Sequence, residues 1–254
     1  MNSAPLIVHV VHRFSVGGLE NGVVNLINNL PSDRWRHAVL ALTEIDEEFM
    51  KRVTRTETGA VALRKKPGHL VAYLPKLHQI FRKLQPAIVH TRNLAALEAQ
   101  VAAWSASVPV RIHGEHGWDV NDLGGTRRRY RVVRSIYRPF IHHYIALSRH
   151  LEAYLSDKVG IPDDRIEQIY NGVDTARFWP SREGRPAIEG CPFEDPAIWL
   201  VGTVGRIQAV KDQCNLATAF VRACRIDAQA ARRMRLVVLF QKGANRSLDA
   251  LCTG

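Results

Sequence analysis

Short apolar runs alternate almost from end to end with stretches whose apolar positions repeat every three or four residues. "LIVHVV" at residues 6–11 reads as a buried strand, and "LENGVVNLINNL" after it sets Leu19, Val23, Leu26, Ile27 and Leu30 at helical spacing. "HAVLALT", "AVALR", "AIVHT", "VPVRIHGEH" and "YIALS" read as further strands. Between them "EEFMKRV", residues 70–84, "LAALEAQVAAWSA", "RRYRVVRSIYRPFIHH" and residues 149–157 read as helices. Near-continuous apolar strands separated by helices predict a parallel sheet covered on both faces, a doubly wound α/β fold. Ligands of such sheets sit outside the carboxyl ends of the strands.

The stretch "PSREGRPAIEGCPFEDP" breaks this rhythm with Pro, Gly and charge. It divides the chain into a complete α/β domain over residues 1–179, a linker over 180–196, and a second unit over 197–254. That unit opens with the strand "AIWLVGTVGR", continues as a helix over about 211–231, and returns as the strand "RLVVLF".

The 254 residues are 46% hydrophobic and 23% charged, as in ordinary globular proteins. No run approaches the length of a membrane span, and "MNSAPLIVHVVHRF" carries no basic leader, so a cytoplasmic protein is expected. Cys191, Cys214, Cys224 and Cys252 form no CxxC pair, so reduced thiols are expected rather than a zinc site or a disulfide framework. The net charge of +11 changes the picture more, because it favours an anionic partner: phosphorylated small molecules, an acidic membrane or nucleic acid.

Candidate chemistry gathers at strand ends. Gly17 and Gly18 lie in a strand-to-helix turn, where paired glycines let backbone approach an anion at a helix N-terminus. They do not form G-x-G-x-x-G, which weakens Glu44 as a ribose-binding acid. "RIHGEHGWD" puts His113, Glu115, His116 and Asp119 at the end of an apolar strand, with a spacing that matches no standard metal site.

On the helix over residues 127–138, Arg127, Arg131, Arg134 and Arg138 form one stripe beside Tyr130, Val133, Tyr137 and Phe140. A solvated face is the first reading of it, then an anionic membrane surface, then RNA, for which no module is visible. Arg206 and Lys211 follow a strand end, where a guanidinium and an ammonium can grip a diphosphate.

Taken together, "GGLE" at 17–20, "HGWD" at 116–119, "ALS" at 146–148, "IYNGVDTARF" at 169–178 and "GTVGRIQAVKD" at 202–212 resemble the group 1, family 4 glycosyltransferases of GT-B architecture. "VVHRFSVGGLENGVVNLINNLP", "HTRNLAALEAQ" and "GEHGWDV" resemble the sugar transferases of exopolysaccharide loci associated with PEP-CTERM/exosortase systems.

The resemblance implies an acceptor-side Rossmann-like domain, a donor-binding second one, and retaining, metal-independent transfer from a UDP- or GDP-sugar to a lipid-linked glycan. No separate cofactor and no nucleic acid are implied. His116 would contact the transferred sugar as the catalytic-site residue. Gly17, Gly18, Arg206 and Lys211 would face the donor diphosphate, and Glu20 and Asp119 the acceptor side. Asn171, Gly172 and Asp174 would form a structural turn between domains. Peripheral contact with the inner face of the cytoplasmic membrane would run through residues 127–138.

The family's Gly-Asp-Gly turn and paired-Glu motif have no match after "RLVVLF". A truncated donor domain is therefore expected, with the reading changed near Phe240 and activity impaired. Two alternatives stand beside this expectation. One is a non-catalytic membrane- or acceptor-binding remnant. The other is a dinucleotide-dependent sugar-nucleotide epimerase or reductase.

Overall fold

The computed structural model describes residues 4–119, 121–175, 178–181, 184–205, 207 and 211–239. It divides into two compact units, Met1–Gly172 and Val173–Gly254.

The first unit is built on β1 (Leu6–Val11), β2 (Arg36–Ala41), β3 (Gly59–Ala62), β4 (Ile88–Arg92), β5 (Val110–Glu115), β6 (His143–Ala146) and β7 (Ile166–Gln168). All pairings are parallel, in the order β3-β2-β1-β4-β5-β6-β7. Its helices are α1 (Gly18–Asn29), α2 (Glu47–Met50), α3 (Leu74–Leu84), α4 (Asn93–Leu97), α5 (Ala99–Ser105), α6 (Arg128–Tyr137) and α7 (Arg149–Ala153). The predicted doubly wound α/β fold is present. The three-residue β7 is an addition, too short to stand out as an apolar run.

Strand periodicity of two decides which side chains meet which helices. Val8, Val10, Ala38 and Leu40 join Leu77 and Phe81 of α3 and Ala99, Ala102 and Ala103 of α5 in one core cluster. Val39 and Ala41 point to the other face, with Val23, Val24 and Ile27 of α1. A third cluster joins Leu97, Tyr144, Leu151, Tyr154 and Leu155.

On α6 the structure corrects the expected stripe. Arg134 is 5% exposed and turned into the protein, and Arg138 donates to the Gly160 carbonyl at 2.6 Å. Val133 and Tyr137 pack on the third cluster, while Val132 and Ile136 are exposed. The basic outer surface is therefore drawn by Arg128, Arg131 and Lys158 around Val132 and Ile136. Spacing along the helix does not say which cation finds a buried carboxylate.

In the second unit β8 (Trp199–Val204) and β9 (Met234–Leu239) pair in parallel. The helix expected between them is two, α8 (Gln213–Ile226) and α9 (Ala228–Arg233). Asp227 breaks it: its backbone is extended and its carboxylate accepts from the Gln229 and Ala230 amides at 3.0 and 2.9 Å, capping α9. Cys191 and Cys224 are free, but Cys214 is disulfide-bonded, which corrects the expectation of reduced thiols throughout. Residues 240–254, where the altered tail was expected, also lie outside the described residues.

Candidate functional site

β1 and β4 are neighbours in the sheet but not in the sequence, and here the winding reverses. Such a switch point opens a crevice outside the strand ends. A cavity of about 210 Å³ occupies that place, lined by His12, Glu20, Arg92, Asn93, Trp118 and Asp119 among others.

The start of α1 forms one wall. Gly17 caps the helix with extended backbone, and its carbonyl accepts from the Asn21 amide at 2.9 Å and the Asn21 side chain at 2.8 Å. The Glu20 carboxylate folds back so closely that a Cβ on Gly17 would lie 2.1 Å from Oε2. A side chain at this position would push the carboxylate aside, and as it stands the carboxylate complements the positive end of the helix.

The β4–α4 junction forms the floor. Asn93 adopts a left-handed conformation, φ 56°, and its Oδ1 accepts from the His116 backbone amide at 2.7 Å. Asparagine tolerates this region better than most residues. Arg92 before it is 4% exposed, and its Nη atoms reach His9 Nδ1 at 3.3 Å and His90 Nδ1 at 3.2 Å. Burial lowers the Arg92 pKa to about 9, against an opposing pull from Glu20.

His9 also meets His37, Nε2 to Nδ1 at 3.1 Å, so three strands contribute imidazoles to one buried row. Burial, with the charge of Arg92 second, holds His9 and His90 well below the usual imidazole range.

The loop after β5 supplies the far wall. Trp118 and Asp119 line the cavity, and Asp119 Oδ1 accepts from the Asn121 amide at 2.9 Å. The His116 ring is turned over Gly114: a Cβ there would stand 2.7 Å from His116 Nε2 and 3.1 Å from His90 Nε2. Burial, then Arg92, lowers the His116 pKa to about 3, so the ring is neutral at physiological pH.

Beneath lies Glu115, 1% exposed, gripped by Arg134. Burial pushes its pKa up, but a hydrogen bond from His113 and the charge of Arg134 outweigh it and hold the carboxyl at about 2.

Of the sequence-predicted residues, Gly18 and His116 adjoin lining residues in the chain, with Gly17 before Gly18, while Glu20 and Asp119 line this crevice. Glu44 does not; it pairs with Arg13 at the surface. Asn171 and Gly172 close the first unit, and Asp174 belongs to the second, its carbonyl accepting from the Phe178 amide at 2.8 Å. Lys211 is exposed in the second unit, and Arg206 lies outside the described residues.

Sequence reasoning assigned no role to Arg92, Asn93 or Trp118. The available signal was position, since Arg92 and Asn93 end an apolar strand as Gly114 and Glu115 do. Among the described residues no group of three or more His, Cys, Asp or Glu could hold a metal ion, and no helix is long and apolar enough to cross a membrane.

A doubly wound parallel sheet with its crevice at the β1/β4 switch point is the Rossmann-like fold of GT-B glycosyltransferases. The family model for Glycosyltransferase Family 4 matches residues 16–177, and the chain belongs to that family. No match was found among curated proteins.

Among solved structures, Anabaena HepE in complex with UDP and glucose is 14% identical with a TM-score of 0.66, the match covering 93% of this chain and 69% of that one. A glycosyltransferase from Rickettsia africae is 14% identical with a TM-score of 0.61, covering 94% and 69%. The UDP-GlcNAc 2-epimerase of Neisseria meningitidis, bound to UDP-GlcNAc, is 13% identical with a TM-score of 0.54, covering 94% and 66%. At such identities these likenesses speak for the fold alone.

Proposed function

We propose that the protein works in transfer of a sugar from a nucleotide-diphosphate sugar to a lipid-linked glycan during exopolysaccharide assembly, of the kind found at PEP-CTERM loci. Membership of Glycosyltransferase Family 4 supports the reaction class. The observation that carries the reading is the cavity at the switch point, whose Trp118, Asp119, Glu20 and Asn93 offer an aromatic face and polar groups to a saccharide. At about 210 Å³ it is smaller than the roughly 300–1,000 Å³ typical of drug-sized ligands, and suits one sugar unit better than a nucleotide.

In this reading the first unit holds the acceptor, and His116 stands at the reaction centre. Arg206 and Lys211 neutralise the departing diphosphate of a UDP- or GDP-sugar, with Gly17 and Gly18 facing the same group. Such preorganised cations stabilise a leaving group without a metal. Transfer proceeds with retention of configuration, with no separate cofactor. The outer face of α6, where Arg128, Arg131 and Lys158 surround the exposed Val132 and Ile136, rests on anionic lipid at the inner face of the cytoplasmic membrane. Each cation contributes about 1 kcal/mol near such a surface.

Saccharide binding followed through the Trp118 indole signal tests the site: the signal should shift on adding a hexose, and Trp118→Phe should remove it. An unchanged indole beside a bound sugar would move the site elsewhere. Nucleotide-sugar epimerisation is the second reading, favoured by the fold shared with the Neisseria epimerase.

A further inference from the structure

Arg92 is a buried cation that the reading above leaves without a task. It lines the cavity while only 4% exposed. Its hydrogen-bond partners are two imidazole nitrogens and, at 3.5 Å, the His90 carbonyl. Among the described residues no carboxylate stands within ion-pair distance of it. The Glu20 carboxylate, which lines the same cavity, acts on Arg92 electrostatically; burying a charge that no carboxylate bonds directly is still costly, so such an arrangement is seldom a device for stability.

The hydrogen bonds also set the neighbouring protons. His9 and His90 both present the Nδ1 lone pair to the guanidinium, which leaves the ring hydrogen on Nε2. His9 passes that hydrogen to His37. The His90 Nε2 atom is buried and has no partner among the described residues. Arg92 thus lines the cavity together with Trp118 and Asn93, and an imidazole N–H without a partner among the described residues is buried on the histidine it bonds.

We propose that Arg92 receives an anionic group carried by the acceptor sugar, a carboxylate or a phosphate, and so selects an acidic acceptor unit over a neutral one. The inference rests on reading the cavity as the acceptor site. Guanidinium binds both anions through parallel N–H bonds, which accounts for arginine rather than lysine at this position. Asp119, also on the cavity wall, offers carboxylate oxygens to sugar hydroxyls. Charge-assisted hydrogen bonds of this kind correspond to roughly ten- to hundredfold in affinity.

The test compares glucose, glucuronate, glucose 6-phosphate and UDP on the full chain by calorimetry, alongside the imidazole ¹⁵N resonances of His9 and His90. Glucuronate or glucose 6-phosphate should bind at least tenfold tighter than glucose and shift both imidazoles, and Arg92→Gln should bring the affinity down to that of glucose. Equal affinity for acidic and neutral sugars overturns the inference while leaving a saccharide site intact, and so does a preference that survives in folded Arg92→Gln. UDP displacing the acidic sugar with the same imidazole shifts would assign the anion to the donor and overturn it as well. If Arg92→Gln does not fold, the wild-type imidazole shifts decide: movement with acidic sugars alone supports the inference, and no movement refutes it.

Discussion

Arg134 on α6 reaches Glu115 at the end of β5 with two parallel contacts, Nε to Oε1 at 2.6 Å and Nη2 to Oε2 at 3.1 Å, both side chains being almost wholly buried. The pair ties the helix with the basic outer surface to the floor of the cavity, and both residues touch that cavity. His113 at 3.3 Å from Glu115 and Thr91 at 2.8 Å from His113 extend the network into β4.

Removing one partner of a buried ion pair leaves the other charge uncompensated. Arg134→Ala should therefore cost about 3–5 kcal/mol in urea unfolding. Arg128→Ala, exposed on the same helix, should stay within about 0.5 kcal/mol. Equal effects of the two substitutions would contradict the assignment of Arg134 to the interior.

Stability should fall in mild acid. His9 and His90 are held well below the usual imidazole range, His37 at about 4 and His116 at about 3. In the unfolded chain each titrates near 6.5. Below that value the unfolded state binds protons that the folded state refuses, so stability is complete above about pH 6.5 and declines as pH falls towards 4 and 3. Glu115 acts in the same direction lower down, because its folded value of about 2 withdraws stability as pH drops below 4.5. Each such group contributes a slope of about 1.4 kcal/mol per pH unit in its window. Urea midpoints measured from pH 7.5 to 4.5 should decline steadily; a flat profile would refute the neutral imidazole row.

Asn93 combines a left-handed backbone with a hydrogen bond to the His116 amide. Asn93→Gly keeps the conformation and loses only the bond, at about 1 kcal/mol, whereas Asn93→Ala should add about 1–2 kcal/mol of backbone strain. Gly114→Ala should push the His116 ring aside, since its Cβ would stand 2.7 Å from Nε2. The readout is the His116 imidazole resonance, which should move in Gly114→Ala and not in Arg128→Ala.

The outer face of α6 gives a membrane test. Flotation with anionic vesicles should drop severalfold in Arg128→Glu/Arg131→Glu and weaken at high salt. Retained flotation in the double variant would remove this surface from the account.

The architecture was legible because helices on both faces of a parallel sheet leave strands of unbroken apolar residues, as in "LIVHVV". The helix over 211–231 misled because apolar spacing continues across Asp227, and only the capping geometry reveals the stop. Gly17, Gly18, His116 and Asp119 stand out in the sequence only by their places at strand ends. Arg92 could not be ranked: a lone arginine after "IVHT" looks like any surface cation until neighbouring strands bury it beside His9 and His90. Likewise the partnership of Arg134 with Glu115 spans two elements, and no local spacing encodes it.

The most direct measurement is product analysis by mass spectrometry after incubating the protein with UDP- and GDP-sugars and a polyisoprenyl-linked saccharide. The account predicts a saccharide heavier by one sugar residue, with the yield cut at least tenfold by Trp118→Ala. Conversion of the nucleotide sugar into its epimer, with the saccharide left unchanged, would contradict it.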